Sequence, residues 1–243
     1  RSEKSSLVSA LHACSTSREA LAGDRNDVRF DQDVVMDIAS QIKEVVQAGT
    51  QVALVIGGGN FWRGRSANSQ MDRSKADQIG MLATVMNAIY MADALRQQAV
   101  EAVVQTPFPV GAMTELFQKD QALRHLASGR VVIFAGGLGH PFFSTDTITA
   151  LRGAELEADV LLFAKNVDGV YDDDPQTNPE AKKIDVLPIS RIVREHLKVI
   201  DLTAAAFCME QKMPVLIFGL KEKNSIHRAV QGEKIGTLVT VEP

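Results

Sequence analysis

Three consecutive glycines, Gly57, Gly58 and Gly59, follow an apolar run from Val52 to Ile56, and Arg63 stands shortly beyond them. A glycine run at the C-terminal end of a strand lets backbone N–H groups approach an anion closely, and a guanidinium beside them offers phosphate a bidentate partner. For the glycines alone, a plain turn of an α/β protein is the bland alternative. No Gly-Lys-Ser/Thr follows, as a Walker A loop requires, and G-x-G-x-x-G fails at its third glycine, so neither common nucleotide loop is present. A second loop joins Gly136, Gly137, Leu138 and Gly139 to His140-Pro141-Phe142-Phe143 and then Ser144-Thr145-Asp146. Thr145 is placed either to cap a helix or to bind phosphate, and Asp146 either to orient a cation or to favour the helix N-terminus. A third loop starts at Lys165 and runs to Asp174, with Tyr171 able to stack on a base or simply to be half-buried. Asp77 could accept hydrogen bonds from a ribose diol or merely be solvated.

Other chemistries find less support. Asp172, Asp173 and Asp174 form an acidic loop tip without spaced partner ligands, and the five histidines show no His-x-x-x-His or Cys-x-x-Cys pattern, so no metal site is assigned. The cysteines, Cys14 and Cys208, have no histidine arranged to make a thiol nucleophile and are too few for a disulfide framework, which points to a reducing cytoplasm. A net charge of −4 argues against a general nucleic-acid binder. No apolar run is long enough to cross a bilayer, and no signal peptide is recognisable, so no membrane partner is expected. The chain opens on Arg1 rather than Met, as a trimmed N-terminus would.

Positioning these loops requires strands that end where they begin. With 243 residues, 45% of them hydrophobic, the chain can bury one substantial core. Strand-like and helix-like segments alternate, the pattern of a parallel sheet with helices on both faces. Helical spacing of Val34, Val35, Ile38, Ile42, Val45 and Val46 predicts a helix over residues 33–48, with Gly49 at its C-terminus. A long helix over 76–97 carries Ile79, Leu82, Met86 and Ile89 on one stripe, either buried within the subunit or set against another. Its methionines read as packing. Further helices are predicted over 114–127, 146–157, 189–196, 203–212 and 225–230. Strands are predicted over 52–56, 102–105, 130–135, 159–164, 215–218 and 236–241, with an open loop from 172 to 183. In open α/β sheets ligands sit beyond the carboxyl ends of strands, so the three loops are expected to converge on one crevice.

Taken together, the motifs resemble the bacterial-type uridylate (UMP) kinases of the amino-acid-kinase superfamily. The matching stretches include Glu19-Ala20-Leu21-Ala22-Gly23, Val55-Ile56-Gly57-Gly58-Gly59-Asn60 with Arg63-Gly64, and Met71-Asp72-Arg73 with Asp77. They continue through Gly80-Met81-Leu82-Ala83-Thr84-Val85-Met86-Asn87-Ala88 and Pro141-Phe142-Phe143-Ser144-Thr145-Asp146. Val167-Asp168-Gly169-Val170-Tyr171, Asp174-Pro175, Leu197-Lys198-Val199-Ile200-Asp201 and Gly232-Glu233-Lys234-Ile235-Gly236-Thr237 complete them. The resemblance implies a three-layer αβα sandwich around a mainly parallel sheet, the amino-acid-kinase (carbamate-kinase-like) fold. It implies one domain over 1–243, with an acceptor lobe to about residue 155 and an ATP lobe beyond. The implied activity is ATP-dependent phosphorylation of UMP to UDP with Mg2+, in pyrimidine nucleotide biosynthesis, by a cytoplasmic homohexamer responsive to GTP and UTP. By position, Gly58, Asp77, Leu138, Gly139, His140, Pro141, Phe142, Phe143, Ser144 and Thr145 would hold UMP. Ser15, Ser17, Arg18, Gly59, Arg63, Lys165, Tyr171 and Asp174 would meet ATP, with Arg63, Asp146, Lys165, Ser17 and Arg18 at the transferring phosphoryl group.

The departures from the family lie close to that chemistry. Its N-terminal strand runs into Lys-x-Ser-Gly-Glu-Ala, but Ser15-Thr16-Ser17-Arg18-Glu19-Ala20 stands here, with serine for the cation and arginine for the glycine. Residues 5–13 also make a poor strand. Leu138 and His140 replace a threonine and an asparagine that face uracil in the family. The family's Lys-Ala-Thr-Lys becomes Phe163-Ala164-Lys165-Asn166, where Lys165 can restore the cation after a small backbone shift. Two readings follow: a UMP kinase, impaired or not by its altered phosphate loop, or a catalytically silent paralogue that binds uridine nucleotides as sensor or oligomer partner. The odd composition before Glu19 is also what an altered or misread segment of an ordinary kinase would give.

Overall fold

The computed structural model describes residues 8–13, 31–62, 70–175 and 177–241. Its first half contains β1 (Val8–Ala13), α1 (Gln32–Gln47), β2 (Gln51–Val55), α2 (Arg73–Gln97), β3 (Ala102–Thr106), β4 (Glu115–Leu116), α3 (Lys119–Ala127) and β5 (Val131–Phe134). The second half begins with α4 (Thr145–Glu155), β6 (Val160–Lys165), β7 (Val170–Tyr171), β8 (Lys183–Ile184) and β9 (Val186–Pro188). It closes with α5 (Ile189–Glu195), α6 (Leu202–Glu210), β10 (Val215–Gly219), α7 (Ser225–Val230) and β11 (Thr237–Thr240).

Among the described residues, nine strands form one sheet in the order β4-β3-β5-β2-β1-β6-β10-β11-β9. Neighbours are parallel from β4 to β10, β11 joins β10 antiparallel, and β9 pairs parallel to β11. Alternation along each strand sorts its side chains between two layers. Leu54 and Ile56, Ile133, Leu162 and Phe218 face α1, α2 and α7, meeting Ile38, Ile42, Met91, Leu95 and Ile226. On the opposite side, Phe163 and Ile217 meet Ile192, Ala204 and Cys208 of α5 and α6, while Val55 and Phe134 meet Leu126 and Ile148 of α3 and α4. A parallel sheet covered on both faces needs near-continuous apolar strands, and Val131–Phe134 and Val215–Gly219 are buried at every position.

Several expectations need correction. Residues 8–13, read as a poor strand, form the central strand of the sheet, paired with β2 on one side and β6 on the other. The helix expected over 114–127 starts only at Lys119; Glu115 and Leu116 instead extend the sheet beside β3. Pairing supplied by β3 there overrides a helix-compatible pattern. The short strands β7 to β9 escaped notice because two or three residues carry no period. The helix over 76–97 begins three residues earlier, with the Asp72 carboxylate accepting from the Lys75 N–H at 3.0 Å as its N-cap. Its stripe is not buried within the subunit: Ile79, Leu82, Met86 and Ile89 are all exposed, Leu82 by 54%. The opposite face, with Ala83, Ala88, Met91 and Leu95, enters the core instead.

Candidate active site

A cleft of about 840 Å³ opens at the carboxyl ends of the central strands. Its floor is the turn after β2, where Gly57, Gly58 and Gly59 lie against α2. A Cβ on Gly58 would stand 2.7 Å from the Gly80 carbonyl oxygen and 2.8 Å from Ala83 Cβ, so only glycine lets this turn press on the helix. Asn87, buried on α2, ties the turn down by donating to the Gly57 carbonyl at 2.6 Å. Thr84 does the same for the loop after β5. Its hydroxyl accepts from the Gly136 N–H at 2.7 Å and donates to the Met81 carbonyl at 2.6 Å.

The rim is built around Asp77. Both of its oxygens accept from Arg73 Nε at 3.0 Å, and Oδ2 also accepts from the Phe142 N–H at 2.9 Å. Asp77 is therefore not a merely solvated helix carboxylate; it ties α2 to the loop before α4. Phe142 holds φ at +74°, a left-handed conformation that strains a residue with a Cβ. Its ring and that of Phe143 are exposed at the mouth, with the Arg73 guanidinium 5.6 Å from the Phe142 ring centre.

At the inner end lies a buried ion pair. Lys165, the last residue of β6, donates from Nζ to Asp146 Oδ1 at 2.7 Å, and both side chains are less than a tenth exposed. Asp146 Oδ2 accepts from the Asp201 N–H at 3.2 Å. Asp201 in turn caps α6 through the Ala204 N–H at 2.9 Å and accepts from the Thr147 hydroxyl at 3.0 Å and from the Ser144 hydroxyl. The cap of α4 is Ser144, whose oxygen receives the Thr147 N–H at 3.2 Å. This corrects the reading of Thr145 as the capping residue: Thr145 is the first helical residue, and it lines the cleft. Two helix N-termini, the Lys165 ammonium and a glycine turn thus face one space, an arrangement that favours an anion.

Of the residues singled out in sequence, Gly58, Gly59, Asp77, His140, Phe142, Phe143, Ser144, Thr145, Asp146 and Lys165 line this cleft. Gly139 and Pro141 belong to the same loop but not to the cleft wall, and Leu138 packs against the core beneath α3. Tyr171 and Asp174 lie apart, around the β7–β8 pairing. There the Tyr171 hydroxyl donates to Asp168 at 2.8 Å and Lys183 pairs with the same carboxylate at 3.2 Å. Burial works to raise the Asp168 pKa, but the hydrogen bonds from Tyr171 and Lys183 and the Lys183 charge together hold it below the usual carboxylate value. Ser15, Ser17, Arg18 and Arg63 lie outside the described residues. Sequence reasoning gave no site role to the wall formed by residues 196–202, which includes His196, Lys198 and Asp201. The signal available was the Leu197-Lys198-Val199-Ile200-Asp201 match, but no strand precedes it, so a search for loops at strand ends passes over it. Cys208, behind this wall, is no nucleophile: burial, with the nearby Asp201 and Asp146 charges, pushes its pKa up to about 12.

A parallel sheet with a glycine turn, a buried lysine–aspartate pair and two helix N-termini at its carboxyl edge is the architecture of a phosphoryl-transfer enzyme. Residues 19–219 match the Amino acid kinase family. The structure is similar to that of a UMP kinase from Bacillus anthracis, with 34% identity, coverage of 98% of this chain and 96% of that one, and a TM-score of 0.89. A UMP kinase from Ureaplasma parvum is 31% identical over 96% of this chain and 97% of its own, with a TM-score of 0.86. A uridylate kinase from Archaeoglobus fulgidus is 27% identical over 96% of this chain and all of its own, with a TM-score of 0.70. The chain belongs to the amino acid kinase family, in its UMP kinase branch.

Proposed function

We propose that this chain transfers the γ-phosphoryl group of ATP to the phosphate of UMP, giving UDP and ADP. The observation that carries the reading is the buried Lys165–Asp146 pair, 2.7 Å apart, facing the glycine turn across the cleft. Phosphoryl transfer needs mainly positioning and stabilisation of charge on the transferring group. Lys165 supplies the cation, and Asp146 orients it while lying within the first turn of α4. The Gly58 and Gly59 backbone and the α4 N-terminus meet phosphate oxygens. His140 and the Phe142–Phe143 rim take the base end, and Asp77 takes the ribose.

The order of strands supports a division near residue 155: β2 to β5 lie on one side of β1, and β6 with β9, β10 and β11 on the other. The first half holds the acceptor. ATP enters over the second, with its adenine toward Tyr171, Asp168 and the end of β10, where Gly219 approaches Asp168 so closely that a Cβ would sit 3.1 Å from its Cα. Among the described residues no group of three or more His, Cys, Asp or Glu could hold a metal. Asp146 and Asp201 are nonetheless hard oxygen ligands of the kind Mg2+ takes, and that ion is commonly held by only one or two carboxylates besides phosphate and water. These two residues would hold Mg2+ that arrives with the triphosphate, and the ion would supply neutralisation of phosphate charge.

The exposed stripe of Ile79, Leu82, Met86 and Ile89 supports self-association through α2, as a homohexamer requires. Response to GTP and UTP, and a place in cytoplasmic pyrimidine nucleotide biosynthesis, rest on the family resemblance. The acceptor is tested by offering radiolabelled ATP with UMP, CMP or an amino-acid carboxylate. Label in UDP is expected; label in an acyl phosphate, with none in UDP, would overturn the reading.

A further inference from the structure

One buried polar cluster, behind the glycine turn that lines the cleft, is explained neither by packing nor by the ion pair. Asn87 is 1% exposed and Asn60 5%. Their amides pair reciprocally: Asn87 Nδ2 donates to Asn60 Oδ1 at 2.7 Å, and Asn60 Nδ2 donates to Asn87 Oδ1 at 3.1 Å. Asn87 Nδ2 also donates to the Gly57 carbonyl at 2.6 Å. A carbonyl can only accept, so this contact fixes which end of the Asn87 amide faces the turn. Burying two amides is costly unless their bonds are made, and an apolar pair would fill the space more simply. The cluster therefore holds something that apolar packing would leave loose.

What it holds is one peptide plane. In a trans peptide the carbonyl and the following N–H point in opposite directions. With the Gly57 carbonyl bonded to Asn87 of α2, the Gly58 N–H of the same peptide points away from that bond, and Gly57, Gly58 and Gly59 all line the cleft. The Gly58 carbonyl is occupied separately, accepting from the Phe61 and Trp62 N–H groups at 3.0 and 2.9 Å. The second peptide of the turn is thereby fixed as well.

We infer that Asn87 is a positioning residue: through the Gly57 carbonyl it presents the Gly58 N–H to the phosphate of the acceptor nucleotide. The inference rests on UMP being that acceptor. It separates phosphate recognition, which depends on Asn87, from nucleoside recognition at the Asp77 rim, which does not.

The experiment is calorimetric titration of UMP and of uridine, which lacks the phosphate, into the wild-type protein and Asn87→Leu. Loss of one oriented donor to a charged group should weaken UMP about ten- to a hundredfold while leaving uridine unchanged. Equal weakening of both ligands, or none, overturns the inference. Should Asn87→Leu not fold, the Gly58 amide resonance of wild-type protein labelled with 15N-glycine decides. A downfield shift with UMP but not with uridine supports the inference, and a resonance that UMP leaves unmoved refutes it. Wild-type protein that fails to bind UMP at all removes the functional reading itself, and that result is visible before any variant is made.

Discussion

Lys165 and Asp146 are each under a tenth exposed, and each is the other's counter-charge. A buried pair of this kind gives little net stability, whereas removing one member strands the other; such half-pairs commonly cost about 3–5 kcal/mol. Lys165→Met should therefore lower the denaturation midpoint markedly. The double variant Lys165→Met/Asp146→Asn should recover most of that stability while recovering none of the catalytic rate. Urea denaturation of both proteins checks this, and equal destabilisation of the single and double variants would show that the pair is not coupled as described. Lys165 was legible in the sequence as a cation at a strand end, and Asp146 as an acid at a helix start. Their contact was not, because nineteen residues separate them and only the fold of α4 onto β6 closes the distance. Leu138 shows the reverse: position in a motif suggested contact with the base, yet the side chain packs beneath α3 because the adjacent glycines swing the backbone around it.

At the scale of elements, α2 organises the cleft. It sends Asp77 to the Phe142 N–H, Thr84 to the Gly136 N–H and Asn87 to the Gly57 carbonyl, so one helix holds two loops, the β5–α4 loop at two points and the turn after β2 at one. The spacing of these polar residues lies within a helix that the sequence made plain. Their targets lie elsewhere in the chain, and no local pattern names them. The glycine turn must also come close, which makes Gly58→Ala informative. Its methyl would collide with the Gly80 carbonyl and Ala83, and overpacking of this kind costs about 1–3 kcal/mol. Displacement of the turn should raise the UMP dissociation constant on the order of tenfold, since each 1.4 kcal/mol is a factor of ten. Unchanged UMP affinity in a folded Gly58→Ala protein, measured by titration, would show that the turn is not pressed against α2. The wall at residues 196–202 stayed hidden for a different reason: it connects α5 to α6 rather than following a strand, and strand ends were the only landmark that sequence offered.

For the whole molecule, the alternation of apolar runs sufficed to indicate a parallel sheet covered on both faces, because burial of both faces leaves that trace in strands such as β2, β5, β6 and β10. It did not reveal β1, where Ser9 and His12 interrupt the apolar pattern although the strand lies between β2 and β6. Nor did it reveal the short edge strands, which owe their pairing to neighbours. The stripe on α2 has consequences at this scale. If it joins subunits, Leu82→Asp should reduce the mass found by analytical ultracentrifugation without changing the fold seen by circular dichroism; an unchanged mass would send the search for the interface elsewhere. Phosphoryl transfer takes place in the cleft formed where the two halves of the sheet meet. It is tested most directly by the steady-state rate of UDP formation from UMP and Mg-ATP by the complete chain, beside Lys165→Met. Turnover in the ordinary kinase range of about 1–100 s⁻¹ is predicted for the wild-type protein, falling by roughly 10²–10³ in the variant. Binding of UMP and ATP with no UDP formed, or a Lys165→Met protein as fast as wild type, would contradict it.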